Sequence, residues 1–111
     1  MPRQRKIKTK SFTREERYHP DQKAGEFFSA ILKLKTPQEV AAFFRDILTL
    51  PEIEEISNRL QMAKLLYQGH SYEEVAQMTG ASTTTVARVA HWLFSGCGGY
   101  KLVLNHLRPK K

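Results

Sequence analysis

The sequence predicts an all-α protein that contains a helix-turn-helix, and three observations lead to this prediction. Apolar residues recur every three or four positions along several segments of the 111-residue chain, which is the spacing of one face of an α-helix. Residues that commonly cap helices precede several of these segments. No segment shows the strict alternation of apolar and polar residues that is typical of a half-buried strand.

The first three predicted helices lie between Pro20 and Gly69. The second has the clearest start, because Thr36 can cap it, Pro37 suits its first turn and Glu39 complements the helix dipole. The third is expected to start after Pro51 and to stop at Gly69. The apolar stripes of the three helices are Phe27, Phe28, Ile31, Leu32 and Leu34, then Val40, Phe43, Phe44, Ile47 and Leu48, then Ile53, Ile56, Leu60, Ala63 and Tyr67.

The helix-turn-helix is predicted over residues 72–93. Ser71 and Glu74 have the spacing of a capping box at the start of a short helix, Gly80 interrupts that helix, and Ser82 can cap the next one at once. Two helices joined by so tight a turn must cross steeply, which requires small or apolar residues at the crossing. The predicted scaffold residues are Val75, Ala76, Gly80, Val86 and Val89. An ordinary helical hairpin in a bundle is the alternative interpretation.

The second helix of this motif sorts into an inward and an outward face. Val86, Ala90 and Leu93 share the inward face. Because the N-terminal end of such a helix enters the major groove, its outward residues are candidates for DNA contact. Threonine hydroxyls can bond to phosphates or base edges, their methyls can contact thymine methyls, and an arginine can fork onto guanine. The predicted DNA-binding residues here are Ser82 at the phosphate-facing end, then Thr83, Thr84, Ala87, Arg88 and His91; for His91 a solvated surface role is the alternative.

The net charge of +7 lies at the two ends of the chain. The first ten residues carry five basic groups and no acid, the last eleven carry four, and residues 11–100 carry nine basic and eleven acidic groups. Basic arms attract phosphate whatever its sequence, so Arg3, Arg5 and Lys6 are predicted to contact DNA. A solvated tail that only keeps the protein soluble is the alternative.

These patterns divide the chain into a basic N-terminal arm over 1–20, predicted to be disordered, a helical DNA-binding domain over 21–107 and a basic tail over 108–111. No apolar run has the length of a membrane span or the character of a signal peptide. The single cysteine, Cys97, excludes an internal disulfide and fits a reducing compartment. We therefore expect a cytoplasmic protein without a membrane partner.

The segment LTLPEIEEISNRLQMAKLLYQGHSYEEVAQMTGASTTTVARV, from Leu48 to Val89, resembles the tryptophan repressor superfamily, and within it the YerC/YecD-type tryptophan-repressor-related proteins. The resemblance rests on the Leu48-Thr49 pair, on Arg59, on the LLYQGHS helix end and on GAS followed by the run from Thr85 to Arg88. It implies an intertwined helical homodimer that binds an operator through two helix-turn-helix units.

The resemblance also implies a possible effector pocket. Arg59 and Arg88 match the two arginines that hold the indole of tryptophan in the family's repressor, and Leu48 and Thr49 match residues that approach from the partner chain. Val89 and Trp92 stand where the family pattern has glycine and serine, on one stripe with Thr85. We expect Val89 and Trp92 to fill this space, with Trp92 packed into it, so that tryptophan does not bind.

Other kinds of site have little support in the sequence. Cys97 and the four histidines, His19, His70, His91 and His106, lack the paired spacing of a zinc site. The GCGGY segment lacks the lysine and strand of a phosphate-binding loop, and no catalytic arrangement can be identified. The sequence therefore predicts no enzyme, no metal and no cofactor.

The predicted function is that of a sequence-specific transcriptional regulator, expected to be a repressor, which binds a palindromic operator as a homodimer without tryptophan. The competing hypothesis is a helical adaptor for proteins or RNA that reuses a helix-turn-helix domain.

Overall fold

The computed structural model describes residues 18–108, which form six α-helices and no strand. The predicted all-α class is therefore confirmed. The helices are α1 (Gln22–Ile31), α2 (Pro37–Ile47), α3 (Leu50–Tyr67), α4 (Tyr72–Thr79), α5 (Thr83–Ser95) and α6 (Gly99–Leu107). The predicted contacts of Arg3, Arg5 and Lys6 lie outside the described residues, as do the arm over 1–17 and the last three residues of the tail.

Local capping chemistry sets where the helices begin. The Thr36 hydroxyl accepts a hydrogen bond from the Glu39 N–H at 3.1 Å, as the sequence predicts. α3 starts earlier than expected, at Leu50 rather than after Pro51, because Thr49 and Glu52 form a capping box. The Thr49 hydroxyl accepts from the Glu52 N–H at 3.2 Å, and the Glu52 carboxylate accepts from the Thr49 N–H at 2.9 Å. Two otherwise unpaired N–H groups at the helix end are satisfied in this way.

The junction of α3 and α4 depends on a glycine with positive φ. Gly69 has φ +101°, and its N–H donates to the Leu66 carbonyl at 3.0 Å. The His70 N–H donates to the Leu65 carbonyl at 3.2 Å, which completes the bond pattern of a Schellman motif. Ser71 then starts α4 through the predicted capping box with Glu74. The chain thus reverses within a few residues, and α4 is brought back against α3.

The buried core is formed by α3, α4, α5 and one residue of α6. It consists of Met62, Ala63, Leu65, Leu66, Val75, Val86, Val89, Ala90, Leu93 and Leu104. The Tyr67 hydroxyl donates to the Asn105 side chain at 3.0 Å and fixes α6 to the end of α3. The sequence analysis extends the helical domain to residue 107 but identifies no separate helix after α5, where the structure has α6. α6 starts after Gly98, which has φ +87° and provides no capping side chain.

The first two helices pack on each other and contribute nothing to the buried core. The Phe27 ring lies 6.0 Å from the Phe43 ring and 6.3 Å from the Phe44 ring, centroid to centroid. α1 ends at Ile31, so the predicted stripe residue Leu32 lies beyond the helix and is 84% exposed. No helix within residues 18–108 has both the length and the apolar character needed to cross a membrane.

Candidate nucleic-acid interface and the adjoining cleft

The turn between α4 and α5 is held by hydrogen bonds to the C-terminal end of α4. Gly80 has φ +81°, and its N–H donates to the Ala76 carbonyl at 2.8 Å. A Cβ at this position would meet no atom within 4 Å, so the backbone conformation and not lack of space favours glycine. The Thr79 hydroxyl donates to the Val75 carbonyl at 2.7 Å and accepts from the Ala81 N–H at 3.3 Å.

The five predicted scaffold residues lie at the crossing of α4 and α5. Val75 and Val86 are completely buried, Val89 is buried, and Ala76 is half-buried against the core. The packing of these side chains sets how α5 crosses α4. The outward face of α5 is therefore carried on a packed support.

The start of α5 is capped by a serine–threonine pair. The Ser82 hydroxyl accepts from the Thr85 N–H at 3.1 Å and donates to the Thr85 hydroxyl at 3.1 Å. Ser82 is exposed at the N-terminal end of α5, the position expected of a phosphate-facing residue. One lone pair of its oxygen remains for solvent or a ligand, because the hydroxyl proton is already donated.

The two faces of α5 separate as the spacing predicts. Val86, Ala90 and Leu93 are buried, whereas the opposite side carries the exposed residues Thr83, Thr84, Arg88 and His91 and the half-buried Ala87. The two ion pairs found within residues 18–108 are Arg59–Glu55 and His70–Glu74, and neither involves Arg88. Five of the residues predicted to bind DNA are thus brought together on one surface with Ser82, and their role there remains a prediction.

A cleft of about 610 Å³ lies beside this surface, between α3 and α5. Its walls include five of the seven predicted pocket residues, Arg59, Thr85, Arg88, Val89 and Trp92. The other lining residues, which the sequence analysis missed, are Glu55, Asn58, Met62, Ala81 and Tyr100. Leu48 and Thr49 are not part of the wall of this single chain; Thr49 instead caps α3.

Trp92 borders the cleft and does not fill it. Its side chain is 55% exposed, while Val89 is turned into the core. The expectation that these two residues fill the space is therefore wrong for the single chain. The indole is held from two sides: the His91 ring lies 5.2 Å away in an edge-to-face arrangement, and the chain at Gly96 passes close to the six-membered ring.

The charges of the cleft are partly balanced within it. The Arg59 guanidinium lies 2.9 Å from the Glu55 carboxylate, one helical turn earlier on α3. Burial raises the pKa of the Tyr100 hydroxyl above its ordinary value of 10.0, and the positive charge of Arg59 opposes this shift. Arg88 contributes the other positive charge of the lining. Among residues 18–108, no three His, Cys, Asp or Glu side chains come together as a metal site would need.

The described domain carries no net charge of its own. Residues 18–108 contain nine basic and nine acidic side chains, so the net charge of +7 belongs to residues 1–17 and 109–111. Arg88 is the only Lys or Arg side chain on α5. The candidate interface is consequently rich in hydroxyl and methyl groups and poor in charge.

Comparison with known proteins gives concordant matches. The sequence model of a family described as "Trp repressor protein" matches residues 22–108. The chain is 36% identical over 83 residues to the uncharacterized protein YerC of Bacillus subtilis (strain 168), across 75% of this chain and 80% of YerC. A TrpR-like protein from Eubacterium eligens has a similar structure, with a TM-score of 0.75 and 39% identity over 82% of this chain and 95% of the other. A candidate Trp repressor from Staphylococcus aureus has a TM-score of 0.74 and 39% identity, over 79% and 88% of the two chains.

Proposed function

Because this chain belongs to the Trp repressor protein family, we propose that it is a sequence-specific repressor that binds a palindromic operator as a homodimer. The family consists of DNA-binding regulators and not of enzymes. The observation that carries the proposal is the exposed face of α5, presented on the buried scaffold of Val75, Val86 and Val89. A recognition helix needs such a rigid support to place its N-terminal residues in the major groove.

Arg88 is the residue proposed to read a base. It is exposed, lies one turn after Thr84 and takes part in neither ion pair of the described region. A guanidinium can donate two parallel hydrogen bonds to the O6 and N7 atoms of guanine, which no other base pair accepts in the same geometry. Ser82 is proposed to contact phosphate by turning its hydroxyl proton from the Thr85 hydroxyl to a phosphate oxygen. His91 is proposed to contact DNA at the far end of the same face.

The proposed homodimer is supported by the apolar surface that one chain leaves uncovered. α1 and α2 bury no residue, and large apolar side chains are exposed along α1, α2 and the first half of α3. Several large exposed apolar side chains on successive helices are typical of an interface between subunits. These exposed residues are Phe28, Leu32, Val40, Ile47, Leu50 and Ile56. Two recognition helices related by a two-fold axis would then match a palindrome.

We propose that DNA binding does not require tryptophan, and any other small-molecule effector is unidentified. The cleft is open in the single chain, so its volume gives no support for this proposal. The support comes from the residues that line the cleft. Glu55 already pairs with Arg59 at 2.9 Å and brings a negative charge to the wall of the cleft. This charge would repel the carboxylate of a bound tryptophan. The wall also contains the large indole of Trp92. A saturable heat of tryptophan binding at micromolar affinity would contradict this part of the proposal.

The terminal arms are proposed to supply the sequence-independent attraction to DNA. The described domain is electrically balanced, whereas the ends carry the whole net charge. Lysine and arginine side chains near the phosphates release counterions and so raise affinity at low salt. Because the activity needs access to chromosomal DNA, the proposal places the protein in the cytoplasm.

The balanced charge of the domain is also the observation that favours a second candidate function, a helical adaptor for proteins or RNA. In vitro selection from random duplex DNA, at near-physiological salt and without amino acids, separates the two. An enriched palindrome would support a dimeric reader that needs no tryptophan. Enrichment only after tryptophan is added would support sequence-specific DNA binding and would refute the proposal that this binding needs no tryptophan. No enrichment under either condition would refute the DNA-binding proposal and favour the adaptor.

A further inference from the structure

The reading face of α5 contains a patch of methyl groups, formed by Thr83, Thr84 and Ala87, which we call the methyl patch. Thr83 and Thr84 are exposed, and Ala87 is half-buried beneath them. Residues three and four positions apart are neighbours on a helix surface, so Ala87 adjoins both threonines. Arg88 lies one turn after Thr84 and borders the patch.

The methyl patch has few means of reading a base by hydrogen bonding. It carries no charged group and no side-chain amide, and Ala87 has no polar side-chain atom at all. Its polar side-chain groups are the hydroxyls of Thr83 and Thr84, and the hydroxyl proton of the adjacent Ser82 is donated to Thr85 within the cap. What the patch offers along its whole extent is three methyl groups, supported by the buried Val86 and Ala90.

Thymine is the unmodified DNA base that presents a methyl group in the major groove. Packing it against methyl groups of the protein removes apolar surface from water on both sides. On the basis of the proposed function, in which α5 enters the major groove, we infer that the methyl patch selects thymine through its C5-methyl group. The selected thymine adjoins the base pair that Arg88 contacts, because the patch and Arg88 are adjacent on the helix.

The size of the effect follows from the burial of one methyl group. Its transfer free energy corresponds to a change of about fourfold in Kd. The expected discrimination is therefore modest at each thymine, and it must be measured on a duplex in which nothing else changes. Replacing dT by dU meets this condition, because dU lacks the C5-methyl group and keeps the same base-pairing edge.

The experiment uses the full-length protein and the half-site enriched by the selection described above. Each dT of the half-site is replaced by dU, one position at a time, and Kd is measured by fluorescence anisotropy at about physiological salt. We expect one position, next to the base pair read by Arg88, to weaken binding about fourfold. At the remaining positions, duplexes with dT and with dU should bind the protein with the same Kd.

A matched pair of variants then assigns the methyl contact to the protein. Thr84→Ser removes the methyl group and keeps the hydroxyl, whereas Thr84→Val keeps a methyl group and removes the hydroxyl. Thr83→Ser and Thr83→Val repeat the test at the adjacent residue. At the contacting residue, the serine variant should no longer distinguish dT from dU, and the valine variant should retain the roughly fourfold ratio. Thermal melting of each variant identifies any that do not fold.

The outcomes separate this inference from the function on which it rests. If selection enriches no sequence, both the function and the inference are refuted. An enriched half-site in which no thymine is sensitive to dU would refute the inference alone. The inference would also be refuted if dU weakened binding equally for the wild type and for both serine variants. Loss of discrimination in the valine variants and not in the serine variants would assign thymine reading to a hydroxyl group instead.

Discussion

The backbone at Gly96 passes so close to Trp92 that no larger residue fits without movement. A Cβ built at position 96 would collide with the Trp92 carbonyl oxygen and lie 2.9 Å from Cε3 of its indole. The carbonyl belongs to the helix backbone and cannot give way cheaply. Gly96 therefore determines both where α5 ends and how the indole stands at the edge of the cleft.

Gly96→Ala is expected to destabilise the protein by about 1–3 kcal/mol, the usual cost of forcing an extra methyl group into a packed site. Because Trp92 is the only tryptophan in the chain, its fluorescence should shift in the folded variant. Urea unfolding and emission spectra measure the two effects. Gly99→Ala is the matched control, since a Cβ at position 99 meets nothing within 4 Å. Equal stability of the two variants would contradict the prediction.

Acid is expected to weaken the start of α4 through Glu74. The pKa of Glu74 lies below its ordinary value of 4.5, mainly because its carboxylate accepts a hydrogen bond from the Ser71 N–H at 2.9 Å. The side-chain hydrogen bond with His70 lowers this pKa further. A carboxylate whose folded pKa is depressed contributes stability above its unfolded pKa, and this is lost as pH falls through the folded value.

The wild type should therefore exceed Glu74→Gln in stability at neutral pH, and the difference should shrink below about pH 4.5. Urea unfolding of both proteins between pH 7 and pH 3 checks this. Glu73→Gln, a neighbouring exposed position for which the structure gives no such bond, serves as the control. A difference that stays constant over the whole range would refute this assignment.

Arg88 is expected to contribute both specificity and charge to DNA binding, and two variants separate them. Arg88→Ala should weaken binding to the selected site by about 1–3 kcal/mol, the value of a good bidentate contact to guanine. Arg88→Lys keeps the charge and loses the planar fork, so it should lose most of the same discrimination. Competition binding against a duplex mutated at that guanine measures it. If both variants weaken binding to all duplexes equally, Arg88 contacts phosphate and does not read a base.

The basic N-terminal arm is expected to account for much of the salt dependence of binding. Each lysine or arginine that contacts phosphate adds roughly 0.9 to the slope of log affinity against log salt. Deleting residues 1–10, which removes five basic side chains, should therefore flatten the slope while leaving the preferred sequence unchanged. Titrations at several salt concentrations give the slope, and an unchanged slope would exclude the arm from the interface.

The sequence was most informative where structure depends on nearby residues. Thr36, Ser71 and Ser82 all cap helices as predicted, because a cap needs only a side chain and an N–H group a few residues away. The capping box of Thr49 and Glu52 has the same spacing as that of Ser71 and Glu74, so the start of α3 could have been predicted too. The exposed and buried faces of α5 followed from helical spacing alone.

Features that depend on distant parts of the chain were not predictable in the same way. α6 lacks a capping side chain and begins at a glycine pair, so its N-terminal signal is weak. The open cleft depends on the separation of α3 from α5, which no local pattern encodes. Helical spacing placed Trp92 on the correct flank of α5, but the close contact with Gly96 and the edge-to-face contact with His91 decide where the indole points.

The separation of charge from the folded domain has an evolutionary consequence for a regulator of this kind. Residues 18–108 are neutral and carry the reading face, whereas the net charge resides in two short terminal stretches. Under the proposed function, mutations in the termini would tune how long the protein stays on a chromosome, and mutations on α5 would redirect it to other genes. Natural selection could then adjust occupancy and target choice independently, and duplicated copies could diverge in one property while they conserve the other.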